Sequence, residues 1–132
     1  MKELVLIFGG IFGTLSVILG AFGAHALKKK FTEDQLKSFE TGVKYQMYHA
    51  LVLIITGITF PFLSGLQNVM AWCFIIGIFL FSFSIYGLTW SSANGKKIKI
   101  LGPITPIGGL LLVVGWILFT INLAEIALYL QP

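Results

Sequence analysis

The sequence predicts an all-α integral membrane bundle of four transmembrane helices, and three observations carry that prediction. The chain of 132 residues is 57% hydrophobic and only 11% charged, with a mean hydropathy of +0.93. A soluble domain of this length needs far more polar surface. The apolar residues come in long runs, each near or above the ~20 residues that cross the hydrocarbon of a bilayer. The charges gather in short segments between those runs. The length suits one domain, residues 1–132, and no linker interrupts it.

The first span is "LVLIFGGIFGTLSVILGAFGAHAL", Leu4 to Leu27. Its "AHA" at 24–26 has the form of a signal-peptide cleavage site. The apolar core is too long for that, and the charged start is only Lys2 beside Glu3, so the segment is read as a helix that stays in the protein. Gly9, Gly13, Ser16, Gly20 and Gly23 are spaced four, three, four, three, which places them on one stripe. Small residues let membrane helices approach closely, because packing rather than hydrophobicity drives their association. Room for a cofactor or a pore is the alternative use of such a stripe.

The second span covers about 45–62, but its helix is expected to begin near Glu33. Thr32 is an N-cap with Gln35 at the capping-box position, and Glu33 and Asp34 suit the positive end of the helix dipole. Pro61 ends it. The third span, "VMAWCFIIGIFLFSFSIYGLTW", runs Val69 to Trp90, with Trp72 and Trp90 as interface anchors. Its Cys73 is the sole cysteine, which excludes a disulfide framework within the chain and a thiolate metal site. "SANG" breaks the chain after it. The fourth span covers about 104–130, with Pro103 and Pro106 in its first turns. Gly108, Gly115 and Asn122 recur at sevens on one stripe. Asn122 is expected to donate a hydrogen bond between helices, and Glu125 to be an interfacial carboxylate.

The net charge of +4 is not read as a nucleic-acid signal, because the lysines sit in two loops without an aromatic platform. Lys28, Lys29, Lys30 and Lys37 lie between spans one and two. Lys96, Lys97 and Lys99 lie between spans three and four. The other side carries only Lys2. The positive-inside rule then puts loops 28–38 and 92–100 in the cytoplasm and both termini outside, in the cell's inner (cytoplasmic) membrane.

The polar residues of "FETGVKYQMYHAL", Phe39 to Leu51, stand out. On a helical wheel Thr41, Tyr45, Tyr48, Val52, Thr56 and Thr59 share one face, bordered by His49. That face is expected to turn inward, and Val43, Met47, Ala50 and Ile54 to face lipid. Glu40 and Lys44 form an i,i+4 pair in the favourable order, read as a solvated interface ion pair beside the alternative of a buried functional pair. His25 in the last turn of span one and His49 early in span two are expected at similar depth on neighbouring helices. Ser82, Tyr86 and Thr89 share a face of span three. The candidate cluster is therefore His25, Glu40, Thr41, Lys44, Tyr45, Gln46, Tyr48, His49, Ser82 and Tyr86. Haem ligation, metal binding with Glu40 and proton relay are its chemical readings. A hydrogen-bonded network pinning helices together is its structural reading.

Four segments, "GAFGAHALKKK", "FETGVKYQMYHALVL", "LFSFSIYGL" and "GPITPIGGLLLVVGW", carry a resemblance that covers nearly the whole chain. They resemble the small membrane proteins catalogued as domain of unknown function 423, whose eukaryotic relatives are called transmembrane protein 256. That resemblance implies a four-helix integral membrane protein and supplies no catalytic residue. The family's third-span motif more often looks like "FSGSLY"; here Phe83 replaces the small residue.

No nucleophile–base constellation, Walker loop or redox CxxC appears, so the chain is not read as an enzyme, and no catalytic residue, cofactor or metal is assigned. The leading expectation is an accessory or scaffold subunit in the lipid bilayer, docking on other membrane proteins or on itself. The alternative is a small oligomeric transporter or proton/ion conductor using His25 and His49. A lipid- or cofactor-binding enzyme ranks last.

Overall fold

The computed structural model describes residues 1–129; the expected end of span four at Leu130 lies outside them. Among the described residues the secondary structure is helical throughout. The elements are α1 (Lys2–His25), α2 (Glu33–Thr59), α3 (Gly65–Ile78), α4 (Ser84–Ala93) and α5 (Leu101–Tyr129). A π turn, Phe79–Phe83, joins α3 to α4, so the two make one span of 29 residues. Three segments, Lys2–Lys29, Gly65–Ala93 and Leu101–Tyr129, are long and apolar enough to cross a membrane. The helix α2 carries charge in its first turns, yet it runs antiparallel beside α1 from Gly57 against Leu6 to Phe39 against Gly23. A helix lying along a spanning neighbour for that length shares its depth.

Local chemistry sets the helix ends. Thr32 Oγ1 accepts from Gln35 N and Gln35 Oε1 accepts from Thr32 N, a closed capping box. Ser64 and Gln67 repeat part of the device at α3: Ser64 Oγ accepts from Gln67 N, and Gln67 Oε1 accepts from Leu63 N. Between α2 and α3 the chain turns through Phe62 at φ 61°. Partial burial of Phe62 against the core holds a backbone conformation that non-glycine residues rarely adopt. After α4, Gly95 takes φ 72°, the left-handed position where helices commonly stop.

Two antiparallel hairpins build the bundle, α1 with α2 and α3–α4 with α5, and α2 packs between α1 and the third span. The core holds Phe12, Leu53, Phe60, Met70, Phe74 and Ile78. The glycine stripe of α1 receives α2: a Cβ on Gly9 would stand 2.8 Å from Ile54 Cγ1 and 3.1 Å from the Ala50 carbonyl oxygen. That contact corrects the expected orientation of α2. Ala50 is fully buried, and Val43 and Ile54 lie against α1. Thr41, Tyr45, Tyr48 and Thr59 are exposed instead, while Val52 and Thr56 of the same expected face are buried. The physical reason is that small residues, more than polar ones, decide which faces of membrane helices meet.

A second, smaller apolar cluster closes the end that carries the basic loops. Leu27, Phe31 and Phe39 are buried there. Phe31 meets Phe39 and Trp90 edge-on at centroid distances of 6.0 Å, and Lys30 Nζ lies 4.3 Å from the Trp90 ring centroid.

Candidate functional site

The polar centre of the bundle is built on the buried arc of α2. Gln46 is fully buried and uses both ends of its amide. Its Nε2 donates to the Phe12 carbonyl of α1 at 2.8 Å, and its Oε1 accepts from the Tyr86 hydroxyl of α4 at 2.9 Å. One side chain thus ties three helices. Around it, Ser16 Oγ donates to the Val43 carbonyl at 2.8 Å and Ser82 Oγ to the Gly42 carbonyl at 2.9 Å. Gly42 sits at the level of Tyr86, whose ring leaves no room for a side chain there.

His49 is 5% exposed. Its Nδ1 lies 2.7 Å from the Tyr45 carbonyl, and its Nε2 lies 3.2 Å from Trp116 Nε1 of α5. The indole N–H only donates and the carbonyl only accepts. The ring must therefore carry its proton on Nδ1 and present a lone pair at Nε2: His49 is neutral, in one tautomer. Phe74 flanks the ring at a centroid distance of 6.0 Å.

The π turn is the second polar node. Ser82 leaves it toward α2, while Ser84, just after it, lies 2.7 Å from Thr105 Oγ1 of α5. The wide turn presents backbone to the α5 glycine stripe. A Cβ on Gly108 would overlap the Phe81 backbone, 2.8 Å from its Cα. Phe83 is partly buried and stacks on Phe79 at 4.8 Å, with Phe12 and Tyr86 farther off. Single π turns inside α-helices recur at functional sites.

The ten expected cluster residues separate. Gln46, Ser82 and Tyr86 come together where α2 meets α4, and His49 is buried about one turn along α2, against Phe74 and Trp116. Tyr45 lies at the edge of this region, 43% exposed, with its ring 4.9 Å from Phe81. Tyr48 is 57% exposed and faces outward. Thr41 is exposed and donates to the Lys37 carbonyl. Glu40 and Lys44 form a 3.7 Å ion pair with both side chains more than half exposed, as the solvated reading requires. His25 is exposed, and among the described residues its hydrogen-bond partner is the Ala21 carbonyl of its own helix, at 3.2 Å. The register of Gly23 on Phe39 and Phe12 on Gln46 sets His25 some fourteen residues along α1 from the level of His49, about 20 Å at 1.5 Å per residue. The expected pairing of the two histidines is thereby corrected. The loop 26–32 is so short that α2 starts beside the end of α1, and His49 lies nearly four turns deeper than His25.

Sequence reasoning missed Trp116, Ser84 and Thr105. Trp116 had a signal: a tryptophan in mid-span is away from the interface that usually holds it, and its N–H needs a partner. Asn122 also departs from expectation. Its Nδ2 donates to the Leu118 carbonyl of its own helix at 2.7 Å, and its buried Oδ1 has no partner. A groove was missed as well. It has a volume of about 540 Å³ and lies at the basic-loop end between the first turns of α2, the last turns of α4 and the start of α5. Among the described residues no three His, Cys, Asp or Glu side chains converge.

An all-helical bundle with spanning apolar helices and a hydrogen-bonded polar centre is an integral membrane protein. The chain belongs to the family described as protein of unknown function (DUF423), which matches residues 19–109. It is 41% identical over 120 residues to a UPF0382 membrane protein of Staphylococcus haemolyticus, covering 91% of this chain and 94% of that one. It is 40% identical over 121 residues to the UPF0382 membrane protein YwdK of Bacillus subtilis, covering 90% and 94%. No solved structure matches the chain.

Proposed function

We propose that this protein is a non-enzymatic accessory subunit of the cytoplasmic membrane, docking through α1 on another membrane protein. The single observation behind this reading is the outer face of α1. Gly10 and Thr14 are exposed there, and a Cβ on Gly10 would meet nothing within 4 Å. With Leu6, Ile7, Ile11 and Leu15 they line a shallow groove of about 440 Å³. The opposite stripe of α1 is already filled by α2, so this second small-residue notch has no occupant among the described residues. Such a notch fits the ridge of a partner helix. In the same reading the basic loops are cytoplasmic and the termini outside, by the lysine asymmetry.

Transport by a His25–His49 pair draws no support from the geometry. The two lie far apart, and His49 has both nitrogens engaged. The test is migration of the tagged protein on native gels after mild-detergent solubilisation of its own membranes. Docking predicts a discrete complex that Gly10→Leu with Thr14→Leu abolishes, while thermal stability of the purified variant is kept. Migration of the wild type as a lone small protein, or a complex indifferent to both substitutions, would refute the reading.

A further inference from the structure

We infer that the groove between α2, α4 and α5 binds the headgroup of an aminophospholipid carrying a primary ammonium. Its position comes first. The helices α2 and α5 meet deeper in the bundle, at His49–Trp116 and at Phe60–Phe119. Toward the basic-loop end both line the groove together with α4. Asp34, Ser92 and Lys97 lie at its outer end, and Thr41, Ile85 and Thr105 at its inner end. The groove therefore grades from charged to half-apolar along the direction a lipid lies, and its volume of about 540 Å³ is in the range of small-molecule sites.

Its lining offers both acceptors and donors. Ser38 Oγ donates to the Asp34 carbonyl, Thr41 Oγ1 to the Lys37 carbonyl and Thr89 Oγ1 to the Ile85 carbonyl. Each hydroxyl has spent its proton inside its own helix, so what it offers the groove is lone pairs. The Asp34 carboxylate adds two acceptor oxygens. These acceptors beside the Asp34 carboxylate suit a ligand group rich in N–H donors with positive charge, while the Ser92 hydroxyl, which accepts from Gln35 Nε2 at 3.4 Å, keeps its proton for an anionic group. Lys97 supplies the opposite charge for a phosphate. A phosphoethanolamine headgroup carries both groups a few ångströms apart. A choline headgroup has the same charge but no N–H, and a glycerol headgroup has no cation.

The test is thermal unfolding of the purified full chain in detergent micelles doped with one lipid at a time. Dioleoyl phosphatidylethanolamine should raise the melting temperature more than dioleoyl phosphatidylcholine or phosphatidylglycerol does, by mass action on the folded state. Asp34→Asn should remove most of that preference, about tenfold in apparent affinity for a charge-assisted bond, whereas Lys97→Gln, facing a phosphate that all three lipids share, should leave the preference in place. The difference between lipids within each variant is the readout, so a change in the variant's own stability does not obscure it. Equal shifts with all three lipids, no shift with any, or a preference untouched by Asp34→Asn would overturn the assignment. Soluble glycerophosphoethanolamine matching the lipid's effect at equal concentration would overturn the lipid part of it.

Discussion

Trp116 donates its indole N–H to Nε2 of His49 across 3.2 Å, joining α5 to α2. This bond decides the state of the histidine, since a ring facing a donor at Nε2 carries its proton at Nδ1. Nitrogen NMR of His49-labelled protein in bilayers at neutral pH should show Nδ1 protonated and Nε2 bare. A doubly protonated ring, or the other tautomer, would contradict the network. In a Trp72→Phe, Trp90→Phe background, His49→Leu should blue-shift the Trp116 emission.

The amide of Gln46 couples α1 to α4. Tyr86→Phe removes the donor to Gln46 Oε1 and should cost about 0.5–1.5 kcal/mol. A double-mutant cycle with Gln46→Leu should return a coupling of roughly 0.5–1.5 kcal/mol, within the span of intramembrane hydrogen bonds. Additive effects of the two substitutions would remove Gln46 from the centre of the bundle.

Glycines on the two sides of α1 and on α5 should behave differently. Gly108→Ala forces a methyl group into the Phe81 backbone, where neither atom belongs to a flexible side chain. A loss of about 1–3 kcal/mol is expected, the usual cost of overpacking. Gly10→Ala meets open space and should stay within about 0.5 kcal/mol of the wild type. Thermal unfolding of both variants in one detergent checks the contrast.

His25→Ala should leave stability unchanged to within about 0.5 kcal/mol, as exposed substitutions do, because the ring is exposed and its hydrogen bond stays within its own helix. A large loss of melting temperature would restore a partner for it.

Much of the fold was legible because length and capping chemistry are local. Thr32 and Gln35 wrote the start of α2 in four residues, and the glycine spacing of α1 marked its contact face. The orientation of α2 was not legible from polarity. Its tyrosines are exposed while Ala50 is buried, since the depth and facing of each residue depend on the small stripe of a different helix. The π turn left no mark in the third span, because one wide turn does not disturb an apolar run. His49 was legible as a buried polar group but its partner was not; Trp116 follows sixty-seven positions later, and only packing brings them together. The groove combines residues of α2, α4 and α5 whose separate sequence signals were capping, hydroxyl and loop-charge signals.

The docking surface on α1 is tested most directly by photo-crosslinking in native membranes, with benzoylphenylalanine at position 10 and, as comparison, at Leu110, an exposed position on α5. Docking predicts a discrete protein adduct, resistant to denaturation on gels, from position 10 and not from position 110. Protein adducts absent at position 10, or the same pattern from both positions, would contradict it.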